Sequence, residues 1–221
     1  MNLPFELFSL PWHVLAALGT LGMLLFAGRR VDWRSLMHSG PRLNAFLGFA
    51  VLMTLLWSMR AGVLPGLNLH LLGAMAACLL FGPWLAMFAM ALVLSGITLN
   101  DAVEWSAWPL NFVMMGIAPV LVAEGVRRFV ERFLPSHFFV YVFVMAFAGS
   151  AVVVLLSGFL ASVLLWAANA YAWSQLATEY LPYFLLLAFS EAWISGAVIT
   201  MMVVYRPEWV ATFDDQRYLR R

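Results

Sequence analysis

The sequence predicts an all-α integral membrane protein, a bundle of about seven transmembrane helices with the N-terminus outside and the C-terminus cytoplasmic. Three observations carry that expectation. Apolar residues make up 64% of the 221 positions and charged residues only 10%, where a soluble domain is about 25% charged; the mean hydropathy is +0.91. The apolar residues fall into runs long enough to cross a hydrocarbon core of roughly 30 Å, which takes about 20 helical residues. The basic residues are all arginine, and most gather in clusters between the runs, a pattern that marks the cytoplasmic side. The runs leave no length for a soluble domain, so residues 1–221 read as a single transmembrane domain.

The first span, residues 8–27, opens near Pro11-Trp12-His13 and ends at Gly28-Arg29-Arg30. Glu6 precedes it and no basic residue does, so it is expected to stay in the mature protein. Arg29, Arg30, Arg34 and Arg42 place the next loop in the cytoplasm. Residues 43–61 return and end beside Arg60, close enough to the outer interface for its guanidinium to reach water. Residues 69–99 would be about 46 Å long as one helix. Gly82-Pro83 breaks that stretch into spans 69–81 and 84–99. An outer loop with Asn100, Asp101, Glu104 and Trp105 leads to the span 109–125, after which Arg127, Arg128 and Arg132 mark the inside again. The span 137–168 contains Gly149, Ser150, Ser157, Gly158 and Ser162, small residues that let helices approach closely. The last span, 181–205, carries Glu191 near its middle, and Arg206, Arg217, Arg220 and Arg221 follow on the inner side. The expected location is a bacterial-type inner (plasma) membrane, with the lipid bilayer as first partner and no nucleic acid. The single cysteine, Cys78, permits no intramolecular disulfide.

An ionisable group costs roughly 2.5–3.5 kcal/mol at the membrane centre, so those present are usually functional. His70 opens an otherwise apolar run and is the first candidate. By this topology His13, His70 and Asp101 lie near the outer face and can converge. Neutral imidazole suits cobalt, nickel, copper and zinc, so one reading is a transition-metal site; the other is that each histidine bonds a main-chain carbonyl or a lipid headgroup. Glu191 either lines a translocation path or relays a proton, or it fixes two helices as a hydrogen-bonded acid. Glu124, one turn from Arg127 and Arg128, reads as their solvated partner. The thirteen methionines read as core filler rather than copper ligands. There is no His-Glu-x-x-His, no Gly-x-Ser-x-Gly and no Walker motif. No enzymatic activity is expected, and any ATP hydrolysis belongs to another chain.

Three ordered blocks carry a resemblance. The first is Pro65-Gly66, then His70-Leu71-Leu72-Gly73 and Phe81-Gly82-Pro83-Trp84-Leu85-Ala86; the second is Leu110-Asn111-Phe112 with Met115-Gly116; the third is Ser190-Glu191-Ala192 with Thr200 and Arg206-Pro207-Glu208. Together they resemble the CbiM/NikM substrate-capture proteins of energy-coupling-factor ABC transporters for cobalt and nickel. The resemblance implies a permease component that takes a divalent metal at its outer face and passes it inward through a transmembrane coupling subunit and paired cytoplasmic ATPases, with no cofactor of its own. It implies His70 as a metal ligand, Asn111 and Glu191 as polar supports of the site, and Gly82 and Pro83 as the helix break. Family members begin Met-His and use that start as ligands; here Met1 and Asn2 occupy those places, with a carboxamide where the family has the stronger imidazole donor. Asn100-Asp101-Ala102-Val103-Glu104 stands where the family has Gly-Asp-Gly-Gly. These departures keep a second expectation open, a non-transport accessory or assembly protein that has the fold without the metal site.

Overall fold

A computed structural model describes residues 2–62, 64–100 and 103–219. Ten helices of four residues or more lie among the described residues: α1 (Leu10–Gly28), α2 (Trp33–His38), α3 (Gly40–Ser58), α4 (Ala74–Phe81), α5 (Pro83–Leu99), α6 (Trp105–Phe133), α7 (Val140–Ala167), α8 (Trp173–Glu179), α9 (Tyr183–Tyr205) and α10 (Asp215–Tyr218). Of these, five are long and apolar enough to cross a membrane, namely α1, α3, α6, α7 and α9. The broken pair α4 and α5 occupies the middle, where α4 packs against α5, α6, α7 and α9.

Every residue of α4 is buried. A helix this short and apolar on all sides has no face to offer water or lipid, so its place is the interior. Both of its ends are set by a glycine at positive φ, Gly73 in the left-handed helical region (φ +69°, ψ 7°) and Gly82 in an extended one (φ +75°, ψ 163°). L residues with a Cβ adopt either conformation only at a cost of about 1–3 kcal/mol. The helix expected from residue 69 starts only at Ala74. Asn68 and Leu69 pair instead with Gly62 and Ala61 in a two-residue antiparallel hairpin, and Gly73 turns the chain into the helix. At the other end Pro83, which lacks an N–H, opens α5.

Breaking a helix inside a membrane protein frees main-chain carbonyls that lipid cannot satisfy. The C-terminal segment answers this. Thr212 donates from its amide (3.3 Å) and from Oγ1 (2.9 Å) to the Leu79 carbonyl, and the Ala211 amide donates to the Leu80 carbonyl at 3.0 Å. Tyr141 on α7 holds Thr212 in place, hydroxyl to hydroxyl, at 2.7 Å.

The remaining helices follow the hydropathy pattern with two differences. α6 runs on to Phe133 instead of ending near residue 125, because Glu124 pairs with Arg127 and Arg128, and Arg127 with Glu131, at helical spacing; the charged turns continue the helix beyond the apolar run. α6 also passes through a π-helical turn at Val113–Ile117, and α7 begins with one at Val140–Ala148. Arg60 apart, the described arginines all lie at the end of the bundle opposite His70.

α7 and α9 pack closely through two glycines. A Cβ at Gly158 would lie 2.4 Å from Phe184 Cδ1, and one at Gly196 would lie 2.4 Å from Phe147 Cδ2. We predict that Gly158→Leu overpacks this interface and costs about 1–3 kcal/mol, read as a lowered unfolding midpoint in detergent. Gly125→Leu, where a Cβ meets nothing within 4 Å, should not lower the midpoint.

Candidate metal site

His70 sits in the loop between the hairpin and α4 and is 4% exposed. Its Nδ1 lies 3.0 Å from the Leu71 carbonyl oxygen. A carbonyl can only accept, so Nδ1 carries the hydrogen. In the neutral ring the lone pair is then on Nε2, the arrangement typical of metal-bound histidine, whose second nitrogen is held by a main-chain or carboxylate oxygen. Nε2 is buried and hydrogen-bonds to no described residue. Trp57, at the end of α3 and 1% exposed, forms one wall, its ring centroid 4.7 Å from that of His70. A buried nitrogen without a partner costs about 1–3 kcal/mol, and such a group in a native fold needs an occupant or a role.

The loop is held from α9. Glu191, 2% exposed, accepts from the Leu72 amide at 2.8 Å through Oε2, and through Oε1 from the Gly73 amide at 2.6 Å and from Ser195 Oγ at 3.1 Å. Both oxygens are therefore committed to donors around the loop that follows His70. The place of Ser195 one turn after Glu191 puts its hydroxyl within reach of the carboxylate.

The N-terminal segment lies at the same end. Asn111, fully buried on α6, grips it through both main-chain groups of Leu3: the Leu3 amide donates to Oδ1 at 2.8 Å, and Nδ2 donates to the Leu3 carbonyl at 2.9 Å and to the Ala107 carbonyl at 3.1 Å. The segment packs on the turn that precedes His70, since a Cβ at Gly66 would come 3.0 Å from Leu7 Cδ1 and 3.5 Å from Leu3 Cδ2. Asn2 is buried there, 7% exposed. His13 on α1 stacks on Phe5 with centroids 3.9 Å apart and donates from Nε2 to the Phe5 carbonyl at 3.0 Å. Its Nδ1 is buried with no described partner.

Met1 and Asp101 lie outside the described residues, so the expected convergence of His13, His70 and Asp101 has no described geometry. Among the described residues, no three of the His, Cys, Asp and Glu side chains gather at one point. Gly82 and Pro83 stand at the far end of α4 from His70 and touch no part of this arrangement. Glu124 is a correction to the sequence reading. It is 6% exposed rather than solvated, and accepts from Arg127 Nε (2.7 Å) and Nη2 (2.8 Å) and from Arg128 Nε (2.6 Å). The pairing follows the helical spacing, and burial follows from the packing of α6 against α4, where Cys78 Sγ lies 3.8 Å from Glu124 Oε2.

Glu191→Gln tests the grip on the loop. The amide nitrogen of glutamine cannot accept, so one of the amides at Leu72 and Gly73 loses its partner, at a cost of about 1–3 kcal/mol. Hydrogen exchange should then quicken at those two amides while α1 and α3 stay protected.

Residues 2–209 match the family described as "CbiM: Cobalt uptake substrate-specific transmembrane region". Among curated proteins, none matches the sequence significantly. Two crystal structures share the fold. One, of a truncated transition metal transporter, superposes with a TM-score of 0.73 at 18% identity, covering 93% of this chain and 99% of the other. The second, of a transition metal transporter, gives a TM-score of 0.72 at 19% identity over 91% and 92% of the two chains. With the family match spanning nearly the whole chain on a helical, multi-pass fold shared with those transporters, this protein belongs to the CbiM family of metal-uptake membrane components.

Proposed function

We propose that the chain is the substrate-capturing component of an energy-coupling-factor-type importer for a divalent transition metal, cobalt or nickel, and that His70 Nε2 is its central ligand. The observation that carries this reading is the buried, unpartnered Nε2 on a ring whose other nitrogen is fixed by the Leu71 carbonyl. Cobalt and nickel both accept imidazole nitrogen, and a ligand held in one tautomer and one orientation is the kind that binds tightly. Further donors in this reading are Asn2 and Met1, the two residues that precede Leu3, whose main chain Asn111 holds. His13 contributes by anchoring that segment through Phe5.

In this reading the ion is taken from the side of the membrane that His70 faces, which is the outer side because the arginine clusters mark the inner one. The bundle provides capture and selectivity, and a transmembrane coupling subunit with paired cytoplasmic ATPases provides the energy. Glu191 is a positioning residue, since it touches the loop and not the ion's nearest donor. A second reading, an accessory protein that keeps the fold without binding metal, draws on the modest donor set: the described residues hold no cluster of three strong ligands, and Asn2 is a weaker donor than imidazole.

Uptake separates the two. In cells that carry the partner subunits, His70→Ala is expected to reduce accumulation of radiolabelled cobalt or nickel to that of cells lacking the chain, with the variant present in the membrane at wild-type amount. Unchanged uptake in that variant removes His70 from the mechanism, and no chain-dependent uptake of any metal favours the accessory protein.

A further inference from the structure

A second built site stands at the opposite end of the bundle. A pocket of about 220 Å³ lies beneath the break between α4 and α5, lined by Arg30 and Asp32 from the α1–α2 turn, Arg42 from the first turns of α3, and Phe81, Gly82 and Trp84 from the break itself. Neither Arg30 nor Arg42 forms an ion pair with a described carboxylate, whereas Arg127, Arg128, Arg206 and Arg217 each do. Asp32, the one acid on the wall, uses Oδ1 to accept from the Ser35 amide at 3.0 Å and cap α2. Two positive charges against one negative leave the pocket cationic.

Arg30 is held rather than loose. The Arg30 guanidinium carbon lies 4.9 Å above the Phe26 ring and 6.0 Å from that of Trp84. Trp33 ties the turn down, donating from Nε1 to the Gly28 carbonyl at 2.9 Å and meeting Phe88 of α5 edge-on at 4.9 Å. Gly82 has no side chain with which to cap the first amides of α5, and uncapped amides at a helix start favour an anion. Arginine matches phosphate oxygens two at a time.

The depth of the pocket identifies the anion's carrier. It lies at the arginine-rich end, the level at which the headgroups of a bilayer run. The helices beside it present exposed apolar faces, Leu21, Leu25 and Phe26 on α1 and Leu47 and Val51 on α3, against which acyl chains lie. We propose that this pocket binds the phosphate of an anionic phospholipid, with Arg30 and Arg42 as its ligands. Bound there, the lipid braces the Gly82-Pro83 break from the cytoplasmic leaflet.

The test titrates the full-length protein in detergent with dioleoyl phosphatidylglycerol, dioleoyl phosphatidylcholine or inorganic phosphate, and separately with an oligoglutamate peptide, and reads the unfolding midpoint. Phosphatidylglycerol is expected to raise the midpoint saturably, and the other three are expected to have no effect. In Arg30→Gln/Arg42→Gln its half-saturating concentration should rise about 30-fold, taking about 1 kcal/mol for each arginine near an anionic surface; either single variant, should the double one not fold, should give about fivefold on the same basis. Arg206→Gln, an exposed arginine of the same end outside the pocket, should behave as wild type. Equal effects of the two lipids, or a double variant that responds as wild type does, overturns the proposal. A shift produced by inorganic phosphate alone assigns the pocket to a free anion, and one produced by an oligoglutamate peptide but not by phosphatidylglycerol assigns it to an acidic protein partner; either also overturns it.

Discussion

Two main-chain amides held by one buried carboxyl group fix the geometry on which the rest of this structure depends. Glu191 reaches from the middle of α9 to Leu72 and Gly73, the residues between His70 and the first turn of α4. Amides at a helix start have no partner within the helix, and in an apolar bundle an unmet amide and an unmet carboxyl are both costly. Each satisfies the other here, with Ser195 completing the set. The exchange locks the loop to a spanning helix, and the orientation of the His70 ring follows, because Leu71, whose carbonyl holds Nδ1, is the residue next to that grip.

α4 extends the same logic to the far side of the bundle. It is eight residues long and buried throughout, so packing holds its flanks while hydrogen bonds hold its ends. Glu191 secures the chain just before its first turn, and Ala211 and Thr212 close its last carbonyls. A broken helix is tolerated in a membrane protein when other parts of the protein meet the freed groups; here the C-terminal segment does so. The N-terminal segment is secured in the same way through Asn111, which meets both main-chain groups of Leu3. The C-terminal segment thus closes the last turn of α4, while the N-terminal segment is tied to α6 and to the turn before His70 at the other end of the bundle.

Much of this plan can be read from the residues. The apolar runs locate the long helices, and Gly82-Pro83 marks the break because proline ends a helix wherever it falls. The start of α4 is less legible: residues 69–73 are as apolar as a helix, and only the positive φ of Gly73 and the pairing of Asn68 and Leu69 with the preceding hairpin strand show otherwise. The short helices α2 and α8 escape a hydropathy reading because at six and seven residues they lie below the length of a span. The π-helical turns in α6 and α7 leave no pattern in composition. At the site, His70, Asn111 and Glu191 stand out as polar groups in apolar runs, but what each one holds is invisible, since their partners are main-chain groups at sequence separations above one hundred for Asn111 and Glu191. Trp57 carries no signal at all; an aromatic residue near a helix end reads as an interface anchor until its ring is found against His70.

The central claim is that His70 binds the transported ion. Its most direct test is metal content, measured by plasma mass spectrometry on detergent-purified wild type and His70→Ala after exposure to an equal mixture of cobalt, nickel, copper and zinc. The account predicts that wild type retains cobalt or nickel at close to one ion per chain and that the variant, equally well folded, retains none. Equal metal in both proteins, or none in wild type, would contradict it.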